Sequence, residues 1–424
     1  MNIWIMNHYA NSMFFDEGGR HYSFAKYLAL KGNSVVVFCS NAQHGNGKEY
    51  FRMKRGVKWV LMNQKSINIP FVFVKSRSYE GNGKDRVFCM VDFYLNLMKT
   101  TKEYLKNNLK PDVIYASSVH PLTLLAGIKI ARKLRIPCVC EVRDLWPESL
   151  IAYNIAGRRS LIVFLLRRLE KYIYEKADAV IFTMEGGYDY IKEQGWQKEI
   201  KRSKVFYINN GVDLVQFNEN RKMFTLNDKD LDDTETYKII YAGSIRNVNN
   251  VGAVLDIAKC HSNEKIKYLI WGDGDEKEKL CKRVEDEKIT NVCFKGRVDK
   301  KYIPYITSKA DLNFAHNGQS KMLLYGISFN KIFDYFAAGK PIVCDFDSNY
   351  NPAMQMQAGI EIKSGKPKEI ARAIEILLCD NPELVKKMGQ NAIKAAYCYD
   401  YQFLTMKLLK LLKKTIKEKR ENKK

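Results

Sequence analysis

The sequence predicts an α/β protein made of two doubly wound, Rossmann-like domains and a helical C-terminal tail. Three observations predict this class. Short apolar segments alternate with helical patterns, which is typical of parallel sheets with helices on both faces. The alternation pauses once, in a polar stretch at 214–236, and then restarts. The length of 424 residues exceeds what one core usually holds and fits two domains.

The first predicted domain covers residues 1–213 and begins with an apolar strand at 1–7. A glycine-bearing loop follows this strand, and the next helical pattern stops at Gly32. The later segments that read as buried strands are 34–39, 113–115, 137–142, 179–182 and 205–208. Helical patterns at 120–134 and 160–175 lie between them. We therefore expect these strands to form one parallel sheet.

The second predicted domain covers residues 237–396, after a linker at 214–236. Its strand candidates are 237–242, 268–271, 291–294, 310–315 and 341–344, and its helix candidates are 275–286, 329–338 and 367–379. From about residue 382 the pattern is wholly helical, and residues 397–424 form a basic tail. The duplication of the two domains is one of architecture, because no short sequence repeat is visible.

The charge balance limits the classes of partner. The chain has 70 Lys and Arg against 47 Asp and Glu, which gives a net charge of +23. Such a surface attracts nucleic acid, an anionic membrane or phosphate-bearing substrates. The sequence has no basic-aromatic module and no zinc-ligand spacing, so we expect no nucleic-acid partner. It also has no apolar run of ~20 residues, and its ten scattered cysteines are typical of a reducing cytosol.

The motifs that matter are those that follow strands, because doubly wound sheets bind ligands at the carboxyl ends of their strands. Two such domains that face each other would place the site in a cleft. Gly18-Gly19 follows the first strand and opens a helix, which suits a phosphate or an ordinary tight turn. The segment 141–148 crowds four charged residues at a strand end, and the alternative is a surface salt-bridge cluster. Asn209-Asn210-Gly211 follows another strand and also fits a turn.

Three motifs of the second half suit a diphosphate or its nucleoside. Gly243, Ser244 and Arg246 offer a flexible backbone, a hydroxyl and a guanidinium beside a predicted helix start. Gly272-Asp273-Gly274 is a similar turn, but it lacks the dinucleotide glycine fingerprint. In the segment 330–341, Lys331 and Asp334 share one helix face, so they fit either a phosphate-and-ribose site or an exposed ion pair.

Together these segments resemble the GT-B glycosyltransferases, and specifically glycosyltransferase family 4. The resemblance covers nearly the whole chain. The closest type is the transferases of bacterial O-antigen and capsule assembly, including the N-acetyl-L-fucosamine transferase type. The segments that carry the resemblance are Gly18-Gly19, Asn210-Gly211-Val212-Asp213, Tyr241-Ala242-Gly243-Ser244, Gly272-Asp273-Gly274, Phe294-Lys295-Gly296, 334–341, Asn7-His8-Tyr9, 141–149 and 79–83 with Arg86.

The resemblance implies a retaining transfer of a sugar from a nucleotide-diphosphate donor, with no metal or other cofactor and with UDP as the expected nucleotide. It implies that Arg246 and Lys331 hold the diphosphate and that Asp334 grips the ribose. The other residues expected to bind the donor are Gly18, Gly19, Asn210, Gly243, Ser244, Gly272, Gly296, Arg297 and Asn330. Asp144 falls where relatives carry a catalytic-site acid, and Arg143 and Glu148 are grouped with it as catalytic candidates.

The chain departs from the family pattern at three places. The first acid of the family's glutamate pair falls on Gly326, which implies that the donor sugar is held differently. The two usual basic phosphate ligands fall on Ser244 and Asn249, so Arg246 would have to substitute. Arg143 stands where many relatives have histidine.

Two other classes of function stay open. A sugar-nucleotide 2-epimerase shares this two-domain architecture, but it needs acid/base carboxylates and histidines, and the chain has only six histidines. A basic nucleic-acid-binding protein would also explain the net charge of +23.

The expected acceptor is a polyprenyl-diphosphate-linked glycan, so we expect a cytoplasmic protein that associates peripherally with the anionic inner face of the plasma membrane. In relatives the final helix returns to the first domain, and the same is expected of 397–424. Three segments mix basic and apolar residues as a membrane contact requires: 51–75, 158–172 and 406–424. The alternative for each of them is an amphipathic element packed on the core.

Overall fold

The computed structural model describes residues 1–81, 83–152, 154–318, 320–363 and 365–421. The chain forms two compact units. The first consists of Met1–Asn209 and Tyr401–Lys424, and the second of Asn210–Asp400. Each unit is built on a largely or wholly parallel sheet covered by helices. The predicted fold class, with two Rossmann-like α/β domains, is therefore confirmed.

The sheet of the first unit has eight strands in the order β3-β4-β2-β1-β5-β6-β7-β8. All neighbouring strands are parallel except β3, which pairs antiparallel with β4. The strands are β1 (Asn2–Met6), β2 (Ser34–Ser40), β3 (Trp59–Gln64), β4 (Ile69–Val74), β5 (Val113–Ser117), β6 (Cys138–Val142), β7 (Ala179–Phe182) and β8 (Val205–Tyr207). The strand order reverses beside β1, where β2 and β5 pair with its two edges.

The helices of the first unit connect these strands and cover the sheet. They are α1 (Asn11–Phe15), α2 (Arg20–Leu30), α3 (Lys84–Tyr104), α4 (Pro121–Leu134), α5 (Glu148–Ala152), α6 (Leu161–Lys176) and α7 (Gly187–Glu193), with a 3₁₀ turn at Arg202–Lys204. Side-chain contacts place α4 between two neighbours. Lys129 of α4 bonds to the Tyr94 hydroxyl of α3, and Arg132 of α4 bonds to the Tyr172 hydroxyl of α6.

The sheet of the second unit has six parallel strands in the order β11-β10-β9-β12-β13-β14. The strands are β9 (Tyr237–Ala242), β10 (Ile266–Trp271), β11 (Val292–Gly296), β12 (Leu312–Ala315), β13 (Ile342–Cys344) and β14 (Gly359–Glu361). Their order reverses beside β9, which pairs with β10 on one edge and with β12 on the other.

Nine helices belong to the described part of the second unit, which lacks residues 319 and 364. They are α8 (Leu214–Met223), α9 (Lys229–Asp232), α10 (Gly252–Ala258), α11 (Lys277–Asp286), α12 (Ile303–Ser308), α13 (Asn330–Ala338), α14 (Pro352–Gln355), α15 (Pro367–Glu375) and α16 (Pro382–Cys398). Single 3₁₀ turns occur at Asn247–Asn249, Lys300–Tyr302 and Lys321–Tyr325, and a π-helical turn at Ile376–Asp380 follows α15.

The stretch 214–236 is not an extended linker. Residues Leu214 and Phe217 of α8 are buried with the second unit's core, and Leu231 of α9 is buried in another cluster of that unit. The polar composition reflects the outer faces of these two helices. The chain passes from the first unit to the second at Asn209–Asn210, and not after residue 213.

The C-terminal pattern is broken at Tyr399–Asp400, and the last helix, α17, spans Tyr401–Glu421 and belongs to the first unit. Its residues Leu408 and Leu412 are fully buried in the same cluster as Phe24 and Leu28 of α2. Residues 397–400 stay with the second unit. The tail is therefore shorter than predicted, and it forms part of the first unit's core.

Two of the three segments proposed for the membrane bury most of their apolar residues, although Leu61 and Met406 are nearly half exposed. Segment 51–75 contains the hairpin of β3 and β4, in which Ile69, Phe71 and Phe73 are core residues. Segment 406–424 turns its leucines inward, and residues 422–424 lie outside the described part of the chain. The expectation that these two segments contact the membrane is corrected, because these apolar side chains pack in the core of the first unit. Within the described ranges, none of the helices combines the length and the apolar content that a membrane span requires.

Candidate functional site

The carboxyl ends of β9 and β12 form the point where the strand order of the second unit reverses. Doubly wound sheets bind their ligands at such a point. The loop after β9 carries Gly243, Ser244 and Arg246, and His316 follows β12 directly. Helix α13 carries Asn330, Lys331 and Asp334. The structure thus brings most of the predicted donor-binding residues to one edge of the second sheet.

Two glycines allow the loops at this edge to pack against each other. A Cβ atom on Gly272 would lie 1.8 Å from the backbone oxygen of Gly243, and one on Gly274 would lie 2.2 Å from that of Ile245. The Gly272 amide also donates to the backbone oxygen of Gly296, at 2.9 Å. Any larger residue at 272 or 274 would push the loop after β9 out of place. The role of Gly272 is therefore packing of this loop.

Lys331 is held in an environment that weakens its charge. Its Nζ atom donates to the backbone oxygen of His316 at 3.1 Å and lies 4.3 Å from the centre of the Tyr241 ring. Burial lowers the pKa of this ammonium to about 8, against the opposing effect of the Asp345 carboxylate. Since Nζ forms no salt bridge with the described residues, its positive charge can meet a phosphate.

Asp334 lies one helical turn after Lys331 on α13, but the two side chains form no ion pair. Burial raises the pKa of the Asp334 carboxyl to about 6, and Lys300 opposes that effect. The predicted alternative of an exposed ion pair is therefore wrong. Asn330 begins α13 and is exposed. Asn210 is buried and donates to the backbone oxygen of Ser328 at 2.7 Å, which holds the segment before α13.

Two arginines at this edge are open to solvent. Arg246 follows β9 and Arg297 follows β11. Neither makes an ion pair or a side-chain hydrogen bond with the residues that the structure describes. Ser244 is also exposed, and its hydroxyl donates to the side chain of Asn249 at 2.7 Å. The two guanidinium groups are available to an anionic ligand.

In the first unit, charged side chains at the strand ends are buried and paired with each other. Gly19, with φ of 98°, precedes α2, and the first residue of that helix is Arg20. The buried Arg20 guanidinium contacts the Glu141 carboxylate at 2.6 Å and donates to the backbone oxygen of Ile208 at 2.8 Å. Burial alone would raise the pKa of Glu141, but Arg20 and His21 hold it well below its usual value. Glu141, at the end of β6, thus anchors the interior of the fold.

The three catalytic candidates of the first unit have unlike surroundings. Asp144 lies beyond β6 and is exposed. The surrounding protein nevertheless shields its carboxyl from water, which raises the pKa of Asp144, while the charges of Arg143 and Arg86 oppose that shift. The Arg143 amide donates to Ser118 Oγ at 3.0 Å. Glu148 begins α5 and accepts from Arg167 of α6 at 2.6 Å. Asp144 is the acid with the freer carboxylate, whereas Glu148 ties α5 to α6.

A buried histidine pair lies at the reversal point of the first sheet. Nδ1 of His8, after β1, is 2.8 Å from Nε2 of His120, after β5. Burial lowers the pKa of His120 to about 3, and that of His8 falls well below its usual value for the same reason. Both rings are therefore neutral, and one nitrogen donates to the other.

Sequence reasoning missed several residues at the two reversal points. His316 and Asp345 in the second unit, and Arg20 and His120 in the first, were not singled out. His316, Asp345 and His120 come within three residues of a strand end, so the rule that identified Arg246 could have found them. Their partners, in contrast, are distant in the chain and leave no local signal.

Two family models match the chain. The model described as Glycosyltransferase Family 4 matches residues 21–216, and the one described as Glycosyl transferases group 1 matches residues 223–395. The chain is a GT-B glycosyltransferase. No curated protein matches the sequence significantly.

Solved structures of low sequence identity share the fold of this glycosyltransferase. The Anabaena protein HepE, in complex with UDP-glucose, is 15% identical with a TM-score of 0.63, over 98% of this chain and 100% of that one. A glycosyltransferase from Rickettsia africae is 14% identical with a TM-score of 0.61, over 98% of both chains. The α,α-trehalose 6-phosphate synthase from Burkholderia multivorans is 10% identical with a TM-score of 0.68, over 100% of this chain and 98% of that one.

Proposed function

We propose that this glycosyltransferase moves a sugar, with retention of configuration, from a UDP-sugar to a polyprenyl-diphosphate-linked glycan in the synthesis of a bacterial capsule or O-antigen. Within that class we propose the N-acetyl-L-fucosamine transferase type, on the resemblance of the sequence motifs alone. The observation that carries the proposal is the edge of the second sheet, where Lys331, Arg246 and Asp334 form no salt bridge with any residue that the structure describes. The UDP-glucose found in HepE supports a nucleotide-sugar donor for this fold.

The donor would bind with its diphosphate at Lys331 and Arg246 and its ribose at Asp334. A leaving diphosphate gains negative charge in the transition state, and fixed cations stabilise that charge. Of the two cations, Lys331 would interact more strongly with the diphosphate, because its ammonium is desolvated and the phosphate would supply a full counter-charge. These two cations can neutralise the leaving group themselves, so we propose that the transfer needs no metal.

The acceptor would approach the first unit near Asp144. The carboxylate of Asp144 is exposed and, among the three catalytic candidates, it is the one with a raised pKa. A carboxylate in this state can hold an acceptor hydroxyl and take up its proton. Arg86 and Arg143, whose charges act on Asp144, would then favour the diphosphate of a lipid-linked acceptor.

The membrane contact that we propose is the N-terminal half of α6. Four of its apolar side chains, Leu161, Ile162, Phe164 and Leu165, are more than half exposed. Arg158, Arg159 and Arg168 beside them are also exposed, and Arg168 lies over the Phe164 ring. We call these seven residues the α6 face. Apolar side chains bordered by arginines suit the interface of an anionic bilayer.

A second apolar surface of the first unit supports a membrane contact on this side of α4. Helix α3 exposes Val87, Phe88, Val91 and Leu95, which repeat at helical spacing along one side. Helices α3 and α6 flank α4. An anionic bilayer that touched both would bring a cytoplasmic, peripherally bound enzyme to its lipid-linked acceptor.

The donor proposal is tested by thermal unfolding with nucleotides. UDP at 100 times its dissociation constant should add about 2.7 kcal/mol to the free energy of unfolding. Transfer from the responding UDP-sugar to a lipid-linked acceptor should persist in excess EDTA, and nuclear magnetic resonance of the product should show the retained anomer. UDP that fails to stabilise the protein, or release of a free 2-epimer instead of a glycoside, would refute the assignment.

The membrane proposal is tested by flotation with vesicles. The parent protein should float with anionic vesicles and be released by salt, since each arginine near the surface contributes about 1 kcal/mol. The variant L161S/F164S/L165S should stay at the bottom of the gradient. Leu30→Ser and Leu109→Ser change exposed leucines elsewhere in the same unit, so they are matched controls that should float like the parent. Equal flotation with neutral vesicles would exclude the electrostatic contact.

A further inference from the structure

His316 and Asp345 form a buried pair at the reversal point of the second sheet. Nδ1 of His316 lies 2.5 Å from Oδ2 of Asp345, which follows β13. Nε2 of His316 lies 2.8 Å from the backbone oxygen of Asn250, in the loop after β9. We propose that this pair is a positioning device that fixes the loop 243–250 in the geometry that receives the donor diphosphate. The inference rests on the proposed function and names the residues that hold the same site.

The chemistry of the contacts requires a donor at both ring nitrogens or a protonated acid. The Asn250 oxygen can only accept, so Nε2 must carry a proton. The Asp345 carboxylate also only accepts, so either Nδ1 carries a second proton or the acid itself is protonated and donates to Nδ1. In both arrangements the pair is electrically neutral as a whole, and Nε2–H stays directed at Asn250.

The loop 243–250 must be held in place at its C-terminal end, at Asn250. Asn250 adopts a left-handed conformation with φ of 49°, directly after the 3₁₀ turn Asn247–Asn249. The start of the loop is held by the Tyr241 hydroxyl, which donates to the backbone oxygen of Ser244 at 2.9 Å. The hydrogen bond from His316 holds the end, beyond the exposed Arg246. Arg246 therefore lies on a segment that is fixed at both ends.

The same residue also fixes the second cation of the site. The backbone oxygen of His316 accepts from Lys331 Nζ at 3.1 Å. The side chain of His316 therefore sets the loop that carries Arg246, while its backbone sets Lys331. A loss of the imidazole should change the position of Arg246 relative to Lys331, and with it the affinity for the donor.

The test compares His316→Ala, Asp345→Ala and Asp345→Asn. An asparagine at 345 can donate to a neutral imidazole, which leaves Nε2–H free to bond Asn250, so it should rescue the pair. Hydrogen exchange of peptides covering 244–251, measured without ligand, should be faster in both alanine variants and near the parent in Asp345→Asn. The KM for the UDP-sugar should rise about tenfold in the alanine variants, while the KM for the acceptor stays unchanged.

His261→Ala is a matched control. His261 of the same unit is bonded to Glu375 at 3.2 Å and to the Tyr268 hydroxyl at 2.8 Å, but it precedes β10, at the opposite edge of the sheet. Its variant should lose stability without a change in exchange at 244–251 or in donor KM.

The outcomes separate this inference from the proposed function. Unchanged exchange of 244–251 in His316→Ala and Asp345→Ala would overturn the inference, whatever the activity. Faster exchange with an unaltered KM for the UDP-sugar would overturn its assignment to the donor site. A parent protein that binds no nucleoside diphosphate would refute the proposed function, and the exchange data would still decide whether the pair fastens the loop.

Discussion

The two units place charged side chains at the same kind of position, but they neutralise them differently. In the first unit, Arg20 and Glu141 form a buried pair at the strand ends. In the second unit, Arg246 is exposed, and Lys331 contacts a carbonyl and aromatic rings and forms no salt bridge with the described residues. A charge that is neutralised within the fold stabilises the fold, whereas a charge without a partner is available for a ligand. This difference supports the proposal that the donor binds at the second unit's edge.

The largest effect is expected from breaking the buried pair of the first unit. Glu141→Ala leaves Arg20 charged, buried and without its carboxylate, which typically costs about 3–5 kcal/mol. The free energy of unfolding, from denaturant titration, should fall by that amount. Glu148→Ala is the control, since its carboxylate is partly exposed. A loss below about 1 kcal/mol for Glu141→Ala would show that the pair does not stabilise the first unit.

A smaller effect, confined to donor use, is expected in the second unit. Lys331→Ala and Asp334→Ala each remove a charge-assisted hydrogen bond to the donor, worth roughly 1.5–3 kcal/mol, or about 10- to 150-fold in kcat/KM. Neither variant should lower the midpoint of thermal unfolding, because neither side chain forms a salt bridge with the described residues that its loss would break. Activities within twofold of the parent would remove these residues from the donor site.

The pH dependence of kcat/KM for the donor tests the charges of the second unit. Lys331, with a pKa of about 8, loses its charge as the pH rises through that value. Asp334, with a pKa of about 6, loses its charge as the pH falls through that value. The kcat/KM for the donor should therefore be highest between about pH 6 and 8 and should fall on both sides. Lys331→Arg should extend the activity to higher pH, and a flat parent profile over pH 5–9 would contradict both assignments.

The smallest effect is expected at Glu148. Its carboxylate is held by Arg167, and this pair is partly exposed, so Glu148→Gln should cost at most about 1 kcal/mol of stability. Turnover should stay within about threefold of the parent, whereas Asp144→Asn should lower turnover strongly and leave UDP binding unchanged. If Glu148→Gln instead abolished turnover with its stability intact, Glu148 would be a catalytic residue of the first unit.

Much of the fold could be predicted because the signals are local. The buried strands β1, β2, β5, β6 and β9 are short apolar runs bounded by loops, and each was predicted within a few residues. The hairpin of β3 and β4 was missed, since Pro70 and the polar turn around Lys65 interrupt the apolar pattern that indicates a strand. Helix α8 was missed because its outer face is polar, and only the burial of Leu214 and Phe217 shows where it packs.

The sequence by itself determined the two α/β units and the strand-end motifs, because apolar periodicity and loop composition are properties of neighbouring residues. The expectation of a glycosyltransferase came from the resemblance of those motifs to a known family. The tertiary structure decided which charges are neutralised. Arg20 and Glu141 are 121 positions apart, and His316 and Asn250 are 66 apart. Only the packing of strands and helices brings such residues within hydrogen-bond distance, so pairing, burial and the resulting pKa shifts cannot be read from local pattern.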